Sequence, residues 1–204
     1  MNVVFIAASQ RAKSNSERAA RLLAARLAHV VPDSTAEVIS LHDDRLPFWN
    51  SDFSDASPRF VASWKPIEAA LSAADAIVCI TPEWAGMASP ALKNFLLMPT
   101  KGQIAHKPGL IVSVSTGTGG AYPVAELKMS GTKNSHLCWI PDSLVLRHVN
   151  ELFPAVEAAW ADGSKHDVAA RIDYTLVMLT EYASALRTMR ATSRIDYSQF
   201  PNGL

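Results

Sequence analysis

Cysteine is nearly missing from this chain. Cys79 and Cys138 are the only two among 204 residues, too few for a disulfide framework. Both stand in apolar runs, where a reduced thiol behaves as a small buried hydrophobe and no redox role is expected. Net charge is missing as well. Lysine plus arginine and aspartate plus glutamate number 19 each, so no overall positive field draws in nucleic acid and no nucleic-acid partner is expected. No run approaches the ~18 consecutive apolar residues of a membrane span. The opening MNVVFIAASQ has neither a basic lead nor a long apolar stretch. No signal peptide and no membrane partner are therefore expected, and the cytoplasm is the expected compartment. H-E-x-x-H, C-x-x-C and G-x-S-x-G are all absent, so neither a metal site nor a serine-hydrolase elbow is expected.

What the chain does have is a regular alternation. Apolar residues make up 49% of it, enough for the core of a single domain of this length. NVVFIAA, from Asn2 to Ala8, is nearly continuous in apolar and β-branched residues and reads as a strand buried on both faces. The following SNSERAARLLAARLAHVV places Leu23, Leu27 and Val30 on one helical stripe, with Ser14 or Ser16 as the natural N-cap. AEVISL is a second strand, RFVASWKPIEAALSAA a helix with a kink or restart at Pro66, and DAIVCIT a third strand ended by Pro82. PALKNFLLM begins the next helix, KPGLIVSVST is a fourth strand, and YPVAELKMSGT a helix. HLCWIP is read as the fifth strand, apart from SLVLRHV beyond Pro141, and DVAARIDYTLVMLTEYASALRTM as a long closing helix. Alternating strands and helices predict an α/β fold, a flavodoxin-like three-layer sandwich. Its five parallel strands run in the order 2-1-3-4-5, with helices on both faces. The expected organisation is one domain over residues 1–190 and a tail or arm over 191–204.

In such a sheet the carboxyl ends of all strands share one edge, and ligands bind there. Three loops therefore meet although they lie far apart in sequence. SQRAKSNS supplies Ser9, Ser14 and Ser16 hydroxyls, the Asn15 amide and the charges of Arg11 and Lys13 at a helix N-terminus, a natural anion cradle. It contains no glycine, so it is neither a Walker loop nor the dinucleotide fingerprint. PEWAGMAS offers the indole face of Trp84, the Glu83 carboxylate and the turn glycine Gly86 before a Ser89–Pro90 helix start. STGTGG, Ser115 to Gly120, lets backbone approach a ligand closely. A phosphate cradle, an aromatic wall and a glycine floor together describe a mononucleotide site, suited to the flat ring of a flavin.

The motifs ASQRAKS, TPEWAGMASPALKN and STGTGG resemble the NAD(P)H-dependent FMN reductase family. Its pattern runs G-S-x-R-x-x-S, then T-P-E-Y-N-x-S/G-x-P-x-x-L-K-N, then a serine- and glycine-rich loop closing on Gly-Gly. The likeness extends over roughly residues 1 to 185, and the P-E-aromatic…P-x-x-L-K-N stretch is its most specific part. Ala8, Trp84 and Ala85 stand where that pattern has Gly, Tyr and Asn. The resemblance implies that FMN is held by Ser9, Arg11, Ser14, Asn15 and Ser16 at its phosphate. Pro82, Glu83, Trp84, Ala85 and Gly86 would line its ring, and Ser115, Thr116, Gly117, Gly119 and Gly120 its other edge. Lys93 and Asn94 are expected to secure the loop and helix. It further implies hydride transfer from NAD(P)H through FMN to a flavin, quinone or similar small-molecule acceptor, with no catalytic acid or base, in a homodimer or homotetramer. Leu46 to Asp55 is expected to cover the flavin of a partner subunit. The alternatives are a non-enzymatic binding or regulatory module with a degraded flavin site, or an FMN electron carrier.

Overall fold

The computed structural model describes residues 1–42, 46–50, 58–99, 101–192, 194 and 196. Its elements are β1 (Asn2–Ala7), α1 (Asn15–Val30), β2 (Thr35–Ser40), α2 (Pro58–Ala73), β3 (Ala76–Trp84) and β4 (Met87–Ala88). These are followed by α3 (Pro90–Leu96), α4 (Lys101–Ile104), β5 (Pro108–Val114), α5 (Ala121–Lys128), β6 (Cys138–Leu146), α6 (Val149–Asp162) and α7 (Asp167–Thr192). The sheet order is β2-β1-β3-β5-β6, all parallel, with β4 attached to β3 alone and antiparallel. The five long strands thus have the flavodoxin-like 2-1-3-4-5 winding, and the two-residue β4 is an addition to it.

The central strands are buried along almost their whole length because both faces are covered. Leu110, Val112 and Val114 of β5 pack with Leu23 and Leu27 of α1, Phe153 of α6 and Leu176 of α7. Ile111 points the other way, toward Ile67 and Leu71 of α2, Leu92 and Phe95 of α3 and Ile104 of α4. The period-two alternation of a strand divides the two layers in this way. Each fully buried large side chain contributes about 1.5–3 kcal/mol of burial. Truncating one such as Leu27 would cost about 2–5 kcal/mol.

Several boundaries differ from expectation. Pro82 does not end its strand. It pairs in register with Val114, and β3 continues to Trp84 before turning back into β4. Pro66 lies inside one continuous α2. The CWIP of the first run and the SLVL of the second are one strand, β6, and its register to β5 slips between Gly109 and Ile111, so that Pro141 sits in a bulge on an edge strand. Helix α6, with Pro154 inside it, was not foreseen. Cys79 is buried as expected, whereas Cys138 is only half-buried, and neither forms a disulfide. Of the Leu46–Asp55 connection only residues 46–50 are described, and most of the 191–204 tail lies outside the described residues. Among the described residues no helix is long and apolar enough to cross a membrane.

Candidate functional site

The β1–α1 loop is built by hydroxyls. Ser14, and not Ser16, is the N-cap of α1; its Oγ accepts from the Glu17 N–H at 3.1 Å. Ser9, buried at the end of β1, accepts from the Arg11 N–H at 3.2 Å. With no glycine available, Lys13 takes the left-handed conformation at φ 51°. Asn15 donates its side-chain amide to Asn150 on α6 at 3.3 Å. The Ser16 hydroxyl is buried and has no hydrogen-bond partner among the described residues. A buried hydroxyl left unpaired carries a free-energy cost, and here it belongs to the first turn of a helix whose N–H groups favour an anion.

The opposite wall is the β3–β4 hairpin. Ala85 and Gly86 form its two-residue turn with φ of 49° and 72°, the left-handed pair of a type I′ turn. Three side chains anchor the hairpin. The Thr81 hydroxyl accepts from the Ser89 N–H at 2.9 Å, and the Ser89 hydroxyl donates to the Ala8 carbonyl while accepting from the Leu92 N–H at 3.2 Å. Glu126 of α5 accepts from the Ala88 N–H at 2.7 Å and pairs with Lys93 of α3. The hydrogen bond from Lys93, and then that from the Ala88 N–H, hold the Glu126 carboxyl below its usual range. Lys93 therefore secures structure. So does Asn94, which holds the Pro47 carbonyl and the Trp49 N–H.

The third loop is tied to the second. Glu83 accepts from the N–H of Gly120, and a Cβ on Gly119 would lie 2.8 Å from Glu83 Oε1. Glycine at 119 is thus what allows the carboxylate to approach. Arg147 donates Nε to the Gly119 carbonyl at 2.9 Å, and the His148 N–H donates to the Gly117 carbonyl at 3.2 Å. Across the site, the Arg11 guanidinium lies over the Trp84 ring, 5.2 Å from its centroid.

Together the loops enclose a cavity of about 340 Å3. Ser9, Arg11, Ser14, Asn15, Ser16, Pro82, Glu83, Trp84, Ser115 and Thr116 line it, so the three expected loops do converge. Lys13, whose charge was expected in the anion cradle, lines it too, as do Ala12 and Val114, which were not among the expected ligand residues. Ala85, Gly86, Gly117, Gly119 and Gly120 are not among the residues that line it. Arg147, His148 and Asn150 were also missed. The end of β6 lies on the same sheet edge, and a strand drawn through Leu146 would have exposed them. The cavity is polar and cationic at the α1 end and aromatic at the hairpin end, the two requirements of a phosphorylated planar ligand. Among the described residues no cluster of three or more His, Cys, Asp or Glu side chains could hold a metal.

A doubly wound parallel sheet with its cavity at the winding reversal is a flavodoxin-like protein. This chain belongs to the family of NADPH-dependent FMN reductases, whose model matches residues 1–151. It is 26% identical over 118 residues to an NADPH azoreductase of Bacillus sp. and 29% identical over 126 residues to a quinone reductase of Pseudomonas putida. The matches cover 58% and 59% of this chain and 65% and 63% of those relatives, just under two thirds of their lengths. Among solved structures it is similar to the flavoenzyme NAD(P)H:(acceptor) oxidoreductase FerB of Paracoccus denitrificans. That likeness has a TM-score of 0.66 at 22% identity, covering 90% of this chain and 97% of the other.

Proposed function

We propose that this protein is an FMN-dependent NAD(P)H oxidoreductase serving a small-molecule acceptor such as a flavin or quinone. The observation that carries the reading is the buried, partnerless Ser16 hydroxyl at the first turn of α1, in a cavity that also presents Arg11 and Lys13. That donor set fits a phosphate, and the hairpin end of the same cavity fits a flat ring. FMN, when bound, supplies the redox chemistry, accepting hydride from NAD(P)H and passing electrons on. The chain's own contribution is position and charge. Ser9, Arg11, Ser14, Asn15 and Ser16 would hold the phosphate, while Pro82, Glu83 and Trp84 face the ring with Ser115 and Thr116 opposite. Ser14 can donate its hydroxyl proton to a phosphate while still accepting from the Glu17 N–H. Glu83, tied to the Gly120 N–H, fixes the spacing of the two loops against the ring and serves neither as acid nor as base. No general acid or base is needed for hydride transfer, and none is assigned.

Self-association in the cytoplasm belongs to the same reading. Met87 on β4, Leu97 after α3, and Tyr122 and Met129 on and just past α5 are large apolar side chains 48–84% exposed. Such surface suits a second copy of the chain. Sedimentation should then give a dimer or tetramer mass, and a monomer would remove this part of the reading. The main test is an absorption spectrum of protein mixed with FMN and desalted, then treated anaerobically with NADPH or NADH. Retained flavin absorbance that bleaches is expected; a colourless protein would overturn the reading. Retained flavin that neither nucleotide bleaches would leave an electron carrier instead.

A further inference from the structure

A second cavity, of about 290 Å3, opens on the other side of the β1–α1 loop, lined by the 46–48 segment, the end of β2 and the N-terminal halves of α2 and α3. Leu41, Leu46, Pro47 and Ala91 make its walls apolar, and Gln10 and Arg59 bring polar groups to them. The outer wall is held in place. The Asn94 side-chain amide donates to the Pro47 carbonyl at 2.9 Å and accepts from the Trp49 N–H at 2.8 Å, clamping the segment from both sides. Leu41 is buried, so the cavity has a fixed floor as well as a wall. Arg59 differs from most of its fellow arginines. Arg11, Arg18, Arg21, Arg26, Arg147, Arg171, Arg187 and Arg190 each engage a carboxylate, a carbonyl or a ring. The Arg59 guanidinium pairs with no carboxylate among the described residues.

An apolar slot with a guanidinium at its wall that no carboxylate among the described residues engages selects for a flat apolar body bearing a negative charge. Size agrees. A dry cavity of about 150 Å3 accepts benzene, so roughly twice that volume accepts a fused two-ring system. We propose that this cavity binds a planar aromatic group with one anionic substituent, its ring against Leu41, Leu46 and Pro47 and its anion on Arg59. Two sources share that chemistry: the phosphorylated adenosine end of the hydride donor, and an acidic aromatic acceptor. The choice of sources rests on the oxidoreductase reading above; the binding chemistry rests on the cavity alone.

Calorimetric titration of the full-length protein with naphthalene-2-sulfonate, with FMN present in excess to occupy the first cavity, tests the proposal directly. Arg59→Gln should weaken binding about tenfold, as expected for one charge-assisted contact, and leave neutral 2-naphthol unaffected. Ala91→Leu, which fills the slot from α3, should weaken both. Steady-state kinetics then separate the sources. A KM raised about tenfold in Arg59→Gln for NADPH but not NADH assigns the donor. The same rise for anthraquinone-2-sulfonate but not for an uncharged quinone assigns the acceptor. Naphthalene-2-sulfonate that fails to bind, or that binds wild type and Arg59→Gln equally, overturns the proposal. Failure of the oxidoreductase reading shows separately, as flavin that neither nucleotide bleaches, and leaves the sulfonate titration decisive for the cavity.

Discussion

The two walls of the main cavity are built on opposite plans. The hairpin wall spends its polar groups on the protein. Glu83 goes to Gly120, Glu126 to Ala88 and Lys93, Thr81 to Ser89, and Ser89 to Ala8 and Leu92. The β1–α1 wall also bonds Ser9, Ser14 and Asn15 to the protein, but it keeps other groups spare. It carries a buried hydroxyl at Ser16 with no partner among the described residues, a lysine at positive φ and an arginine whose guanidinium lies over the Trp84 ring. A wall whose hydrogen bonds are internally satisfied is rigid and sets distance; a wall with spare donors is ready for a ligand. The contrast assigns different roles to Glu83 and Ser16, which line one and the same cavity, and it can be broken by mutation.

The largest effect is expected at Glu83. Glu83→Ala leaves the Gly120 N–H, in a part-buried contact, without its acceptor, at a cost of about 1–3 kcal/mol. Glu83→Gln, which keeps an acceptor oxygen, should recover much of that. Urea denaturation of both variants reads it, and a loss below ~0.5 kcal/mol for the alanine variant would mean that the hairpin and the glycine loop are held together by other contacts. Ser16→Ala should behave oppositely. Removing a hydroxyl that has no partner should not lower the stability of the ligand-free protein, yet FMN affinity should fall about tenfold for the lost phosphate contact. Riboflavin, which lacks the phosphate, should bind both proteins alike. Equal losses for the two flavins would place Ser16 among the structural residues and erase the contrast.

The sequence made the winding order and the convergence of three loops legible for a simple reason. β1, β3 and β5 are buried on both faces and therefore apolar at nearly every position, and helix stripes such as Leu23 and Leu27 are equally plain. Prolines misled because their meaning depends on position. Pro141 in an edge-strand bulge and Pro82 late in β3 are tolerated where a ladder N–H is dispensable. Reading both as breaks shortened β3 and β6, which hid Arg147, His148 and Asn150 at the same sheet edge. Glu83 with Gly120 and Lys93 with Glu126 were illegible for another reason. No local pattern announces a carboxylate whose partner lies on a different element, so the bond from the Gly120 N–H to Glu83 could not be read beside its place in the cavity lining.

A smaller effect is expected at the hairpin turn, where Ala85 holds φ 49°. An L-residue with a Cβ pays about 1 kcal/mol or more in this region, whereas Asn and Gly adopt it readily. Ala85→Asn, the residue the family pattern has here, and Ala85→Gly should each raise stability by about 0.5–1 kcal/mol. Because Ala85 lies outside the cavity wall, FMN affinity should hardly move. A gain in stability accompanied by a clear change in affinity would show that turn strain is coupled to the ligand wall, and would soften the division between the two walls.

The smallest effect distinguishes the walls by pH. Lys93, and then the Ala88 N–H, lower the Glu126 carboxyl below its usual 4.5. A carboxylate depressed in the folded state binds fewer protons there than when unfolded, so its contribution is fully present above 4.5 and disappears as the pH falls through the lower folded value. Glu126→Gln should therefore be less stable than wild type at neutral pH, with the difference shrinking as the pH falls below 4.5 and through the lower folded value. The variant keeps a side-chain oxygen for the Ala88 N–H, so what it loses is the charge. The hydroxyls of the β1–α1 loop carry no charge in that window, and Ser16→Ala should show the same difference from wild type at pH 7 and at the acid end. Urea midpoints at the two pH values decide the matter. If the Glu126→Gln difference persists undiminished in acid, the hairpin is anchored by geometry and not by charge. Its rigidity would then have the same neutral, hydroxyl-type origin as the Thr81–Ser89–Ala8 chain beside it.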